Sequence, residues 1–202
     1  LKDNYDMMRR FTDFVGQEAK DGLAPAGLGD WYDYGHGHPP GPSRFTPTDL
    51  SATATWGLCA DAVARAADAL GKGRDAKAYR KLHAQIGADF RRRFQDPATR
   101  KLRHHGSPQC ANAMALCAGL VPPEDRALLI EDIIADLEQR GWQQTPGDVG
   151  HLYLIRALAE AGRSDALHRV YSRTGLGSYG GILAKGLTSL PETWDAMMDG
   201  SQ

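Results

Sequence analysis

The chain has 202 residues, with 24 basic against 25 acidic side chains, a net charge of -1 and 42% hydrophobic residues. That balance excludes the broad basic surface that nucleic acid or an anionic membrane requires, and no run approaches the ~18 consecutive apolar residues of a membrane span. The opening LKDNYDMMRR lacks the basic-then-apolar order of a signal peptide. Cys59, Cys110 and Cys117 cannot all pair and none lies in a CxxC, so neither a disulfide framework nor a zinc site is indicated, and all three are expected to be reduced core residues.

Residues 1–20 place Tyr5, Met8, Phe11 or Thr12 and Val15 at helical spacing, with Gly22 as a stop. The stretch 22–44 is rich in glycine and proline around WYDY, and is too long to be a mere connection. Thr46-Pro47 then reads as an N-cap followed by proline at the first helical position, opening an alanine-rich helix that ends at Gly71. Residues 75–94 repeat Ala78, Leu82, Ile86 and Phe90 at i+4 intervals, so these two helices form an αα-hairpin. Further helices are predicted over 108–119, from Pro122-Pro123-Glu124-Asp125 to Gly141, over 148–161 and over 164–171. The remainder is irregular apart from a turn of helix near 178–184. About seven helices with no alternating strand pair and no GxGxxG or P-loop make an all-α chain of consecutive hairpins, a helical array or a closed toroid.

Two irregular stretches concentrate carboxylates beside aromatics: GLGDWYDYGHGHPPGPSRFTP and GLTSLPETWDAMMDGSQ. That combination suits carbohydrate, since a sugar offers C–H faces to aromatic planes and hydroxyls to carboxylates, whereas phosphate calls for arginine or backbone nests. Asp30, Trp31, Tyr32, Asp33 and Tyr34 form the first group. The other reading of that group is a loop pinned by a buried tryptophan, with acids that cap helices or turns. In the second group Glu192 sits between Pro191 and Thr193-Trp194-Asp195. Glu18, Glu124, Glu131, Glu138 and Glu160 all fall on predicted helices as solvated faces, so Glu192 is either a functional carboxylate or one answering a helix dipole. His36 and His38 flank a glycine with no third ligand nearby, which does not make a metal site. His104-His105 next to Ser107 lack a GxSxG setting and read as a solvated connection.

The blocks GLGDWYDYG, TPTDLSATATW, SPQCANAMALCAGLVPPE, TPGDVGHLYLIRALAEAGRSDAL and SYGGILAKGLTSLPETWD, in that order, cover most of the chain. This ordered set resembles the catalytic domain of inverting α-L-rhamnosidases, an (α/α)6-barrel, six-hairpin glycoside hydrolase family. The resemblance implies a sugar-cleaving site at one mouth of a helical toroid. It places Glu192 where the family carries its general base, Asp30 and Trp31 where the family lines the sugar subsite, and Trp194 as a further wall. Tyr32, Asp33 and Tyr34 follow from their neighbourhood.

The family's general acid lies in a DERxGW-like segment expected ahead of the first helix, and its later Asn-His pair follows a serine that Ser201 represents. Neither segment occurs in these residues, and six hairpins need twelve helices against the seven here. The expectation is therefore a partial toroid over 1–202, inert by itself, within a longer chain bearing accessory β-sandwich domains. The substrate is expected to be a carbohydrate or glycoside, with no cofactor, because two carboxylates and water suffice for inverting hydrolysis. The alternatives are a six-hairpin hydrolase for a different sugar and a non-catalytic carbohydrate-binding domain with a decayed site.

Overall fold

A computed structural model describes residues 1–33, 41–175, 177–191 and 194. After a 3-10 turn at Lys2–Asn4 come α1 (Tyr5–Glu18), α2 (Thr48–Ala69), α3 (Gly73–Phe94), α4 (Gln109–Cys117), α5 (Pro123–Gln139), α6 (Gly150–Glu160), α7 (Ser164–Tyr171) and α8 (Tyr179–Ala184). Among the described residues the only β pairing is two isolated bridges, Lys20 with Leu23 and Gln95 with Leu102. The helices that sequence spacing predicts are present within a few residues. One boundary differs: Thr46 does not cap α2. Pro47 holds the N-cap position, its carbonyl receiving the amides of Leu50 and Ser51, while the Thr46 amide is taken by Asp33.

Three hairpins, α2/α3, α4/α5 and α6/α7, stand side by side. The first helix of each packs on the first helix of the next: α2 lies on α4 and α4 on α6, while α3, α5 and α7 each pack on their own hairpin partner. The result is an inner and an outer layer, part of an (α/α)6 toroid. The sequence explains which helix goes inside. α4 (QCANAMALC) carries no charged residue and is buried from Gln109 to Leu116, whereas α3 is amphipathic and ends on a run of three arginines, of which Arg92 and Arg93 are exposed. Between the layers, Phe90, Ile86, Met114, Leu120, Ile133 and Leu158 are fully buried.

Helix α1 joins through a smaller cluster of Tyr5, Val63, Ala67, Ala76 and Tyr79. Polar tips fix its angle: the Tyr5 hydroxyl donates to Asp75 (2.8 Å), Tyr79 donates to Asp13 (2.5 Å), and the Trp56 indole donates to the Thr12 carbonyl (3.1 Å). On its far side Phe11 and Val15 join Trp56, Cys59, Val149 and Tyr153 in an apolar groove of about 430 Å³.

A buried polar knot ties the start of α4 to the segment ahead of α6. Gln109 is fully buried; its Nε2 donates to Asp136 (2.8 Å) and to the Gln143 carbonyl (3.2 Å), and its Oε1 accepts from the Thr145 amide (3.0 Å). Ser107 donates to Asp136 (2.9 Å) and pairs with the Thr145 hydroxyl (2.6 Å). The expected solvated connection at Ser107 is thus corrected: its hydroxyl is buried because it closes this knot. The cysteines also divide, Cys110 being buried while Cys59 and Cys117 are only partly so. Replacing Gln109 with Leu keeps volume but strands the Thr145 amide, takes a donor from the Gln143 carbonyl and removes one donor from Asp136, which keeps Ser107 and Arg140. It is expected to cost about 2–4 kcal/mol, measured by urea denaturation of the full-length protein.

Candidate active site

The irregular loop after α1 is organised by two carboxylates that face inward. Asp30 is fully buried and accepts three backbone amides at the start of α6: Gly147 (2.9 Å), Val149 (3.1 Å) and Gly150 (2.7 Å). It caps that helix from more than a hundred residues away, supplying a partner for amides that have none within the helix. Asp33, 1% exposed, accepts from the Ser43 hydroxyl and from the amides of Arg44 (2.6 Å), Phe45 (2.9 Å) and Thr46 (3.1 Å). Neither carboxylate opens to solvent, so the structure gives both the capping role that was the second reading of this group.

Trp31 and Tyr32 are half-buried, their rings edge-to-face at 5.9 Å. Tyr32 has a positive φ of 63°, and the Trp31 carbonyl accepts the Asp148 amide (2.9 Å). Close approach explains two glycines. A Cβ on Gly147 would lie 1.8 Å from the Trp31 carbonyl oxygen, and one on Gly150 would lie 2.5 Å from Asp30 and 2.6 Å from the Cys110 sulfur. Tyr34, His36 and His38 lie outside the described residues.

On the other side of the α6 start is a cleft of about 170 Å³, lined by Gly147, Asp148, His151, Tyr179, Leu190 and Trp194, among others. Trp194 stands edge-on to His151 and to Tyr179, each at 5.2 Å, and Tyr179 lies 5.4 Å from Tyr171. This volume is below the ~300 Å³ at which pockets for drug-sized ligands begin. Glu192 lies outside the described residues; its neighbour Pro191 also lines this cleft. The GDWYD loop and the tail, singled out separately in the sequence, therefore meet through residues 147–151. His151, Tyr179 and Asp148 are the lining residues that sequence reasoning missed. For Asp148 and His151 the one local signal was the glycine-flanked GDVG at a helix start, and Tyr179 lies ahead of a glycine pair in SYGG.

Burial pushes the Asp30 carboxyl up from 3.8 to about 6, against the lowering pull of the Gly150 and Gly147 amides. Burial also raises the neighbouring Cys110 thiol well above its ordinary value, and the Asp30 charge adds to this. For His151, burial lowers the pKa and favours the neutral ring.

The profile of the bacterial alpha-L-rhamnosidase six-hairpin glycosidase domain matches residues 1–202. The chain belongs to that family. An alpha-L-rhamnosidase of Streptomyces avermitilis is 31% identical over 183 residues, 90% of this chain and 16% of that protein. One from an Alteromonas species is 25% identical over 199 residues, 97% of this chain and 22% of that protein. The rhamnosidase-family domain thus spans about a fifth of the length of these relatives. The crystal structure of the Streptomyces avermitilis enzyme complexed with L-rhamnose superposes with a TM-score of 0.86 at 28% identity, covering 97% of this chain and 18% of that one. An Aspergillus terreus rhamnosidase shares the fold at a TM-score of 0.85 and 22% identity, over 98% of this chain and 23% of that one.

Two outcomes are expected of this geometry. Gly147→Ala forces a side chain onto the Trp31 carbonyl and is expected to cost at least about 2 kcal/mol, read as a lowered urea midpoint. For Asp30 the folded state binds the proton more tightly than the unfolded chain. Its stabilisation is therefore complete below about pH 4 and lost as pH rises through about 6. The stability of wild type relative to Asp30→Asn is expected to fall by roughly 3 kcal/mol between pH 4 and pH 7. A difference that stays flat with pH would show that the amides balance burial, and one that grows with pH would show that they outweigh it.

Proposed function

We propose that this chain forms part of a glycoside hydrolase that removes terminal α-linked L-rhamnosyl residues with inversion at the anomeric carbon. The observation that carries the reading is the cleft beside the α6 start, walled by Trp194 and Tyr179, in a chain of the α-L-rhamnosidase family. Aromatic walls take the apolar face of a deoxyhexose, and polar groups on the rim take its hydroxyls.

Inverting hydrolysis uses one carboxyl to protonate the leaving oxygen and a second, ~6.5–9.5 Å away, to activate water on the opposite face of the ring. Glu192 is the proposed base. Its sequence neighbour Pro191 and the nearby Trp194 both line the cleft, which supports a site within reach of that carboxylate. The proposed acid comes from outside these 202 residues, whose sequence has no DERxGW-like stretch. Asp30 and Asp33 act in this reading by holding the loop that carries Trp31, Tyr32 and Tyr34, which are proposed sugar contacts along with Trp194. The low coverage of the relatives is consistent with further domains, and accessory β-sandwiches are proposed among them. No resident cofactor enters this chemistry.

The test uses the full-length protein on an aryl α-L-rhamnoside, with NMR of the first anomer released. Wild type is expected to release the inverted sugar, and Glu192→Gln to lose at least about 10²- to 10⁴-fold in kcat while melting at an unchanged temperature. An active enzyme whose Glu192→Gln variant keeps its rate would remove that residue from the mechanism. Retention of configuration would require a nucleophile in place of a base.

A further inference from the structure

His151 sits in the first turn of α6 and lines the cleft. Both its ring nitrogens, Nδ1 and Nε2, are shielded from solvent, and among the described residues neither has a hydrogen-bond partner. Single buried atoms of Thr46, Asn112 and Asp125 also lack a hydrogen bond, but most other polar groups of the interior are satisfied. His83 pairs with the Ala118 carbonyl at 2.7 Å, Gln109 makes three bonds, and Asp30 and Asp33 are filled by amides. A buried polar group without a partner is destabilising and needs a reason.

The surroundings narrow that reason. The rings of Trp194 (5.2 Å) and Tyr171 (6.2 Å) stand edge-on to the imidazole, and Ile182, Leu190 and Pro191 complete an apolar wall. Packing alone would be served better by phenylalanine or leucine, which leave nothing unpaired. A metal would need further ligands, and among the described residues no group of three His, Cys, Asp or Glu side chains is placed to hold one. A neutral imidazole presents one donor and one acceptor. The ligand group that answers either nitrogen is a hydroxyl, and a sugar in an aromatic-walled cleft brings several. The backbone that carries the ring is held in place, since Asp30 grips the amides of Gly147, Val149 and Gly150 just ahead of it.

We propose that His151 is a substrate-binding residue whose imidazole turns toward the cleft when a sugar enters, hydrogen-bonds one of its ring hydroxyls and so helps to select which sugar is accepted. This rests on the cleft being the glycosyl subsite, as above. The apolar walls take any deoxyhexose of suitable shape, whereas the histidine discriminates by hydroxyl position. A site built to bond a hydroxyl rejects an analogue lacking it far more strongly than a hydrophobic wall rejects a small change in bulk.

The experiment measures kcat/KM for the full-length protein on an aryl α-L-rhamnoside and on the three analogues that each lack one ring hydroxyl, with wild type, His151→Phe and His151→Gln. On the parent sugar His151→Phe is expected to lose about tenfold or more, the worth of one good hydrogen bond to an uncharged group in a dry site. On one deoxy analogue wild type and His151→Phe are expected to agree within about twofold, because the bond is already gone. His151→Gln, which keeps a donor and an acceptor, is expected to recover part of the loss and to supply the answer if the Phe variant does not fold. An equal penalty on all four substrates, or none on any, overturns the proposal while leaving the rhamnosidase reading intact. A wild type inactive on every rhamnoside overturns that reading, and the assignment of His151 with it.

Discussion

One buried carboxylate carries the arrangement of the site. Asp30 gathers three amides from the first turn of α6, joining a loop near the start of the chain to a helix near its end. A carboxylate taken out of water is tolerable only when such donors replace its hydration. Without Asp30 those amides would face a fully buried cavity with no acceptor. Everything near the cleft inherits its position from this contact: the Trp31 carbonyl takes the Asp148 amide, His151 follows one residue after the last amide bound, and Gly147 and Gly150 are glycines because nothing larger fits between the two segments.

The helical frame supplies rigidity in a different way. The inner helices are poor in charge and rich in alanine, so α2, α4 and α6 approach closely, while the outer helices are amphipathic and shed their charge to solvent. The Gln109 knot then fixes the chain from Gln143 to Thr145, immediately ahead of the turn that Asp30 captures. Two polar anchors therefore bracket residues 143–150, an irregular stretch that has no ladder of its own to hold it.

Much of the frame was legible from the sequence because helix periodicity and proline and glycine punctuation are local signals: Pro122-Pro123 opened α5, and the i+4 row through Phe90 found the buried Ile86 and Phe90 of α3, although Leu82 is half-buried and Ala78 exposed. The α2 boundary was misread because Thr46 looks like a cap by type, yet its amide is claimed by Asp33 thirteen residues earlier in the chain. The two aromatic-acidic stretches were also legible as places of interest. Their division of labour was not, since an aspartate that caps a distant helix and one that meets a sugar have the same appearance in sequence. His151 was invisible for a related reason. A single histidine on a helix acquires meaning only when its neighbours in space leave both nitrogens empty.

The reciprocal fit of Gly147 and the Trp31 carbonyl bears on how such a site can diversify. The loop and the α6 turn behave as one cassette split across the chain. A recombination breakpoint falling between them would pair a loop from one parent with a turn from another, and any departure from glycine at position 147 would lock the two apart. Transplanting this loop from a homologue therefore calls for moving the 143–150 segment and the residue at position 110 along with it.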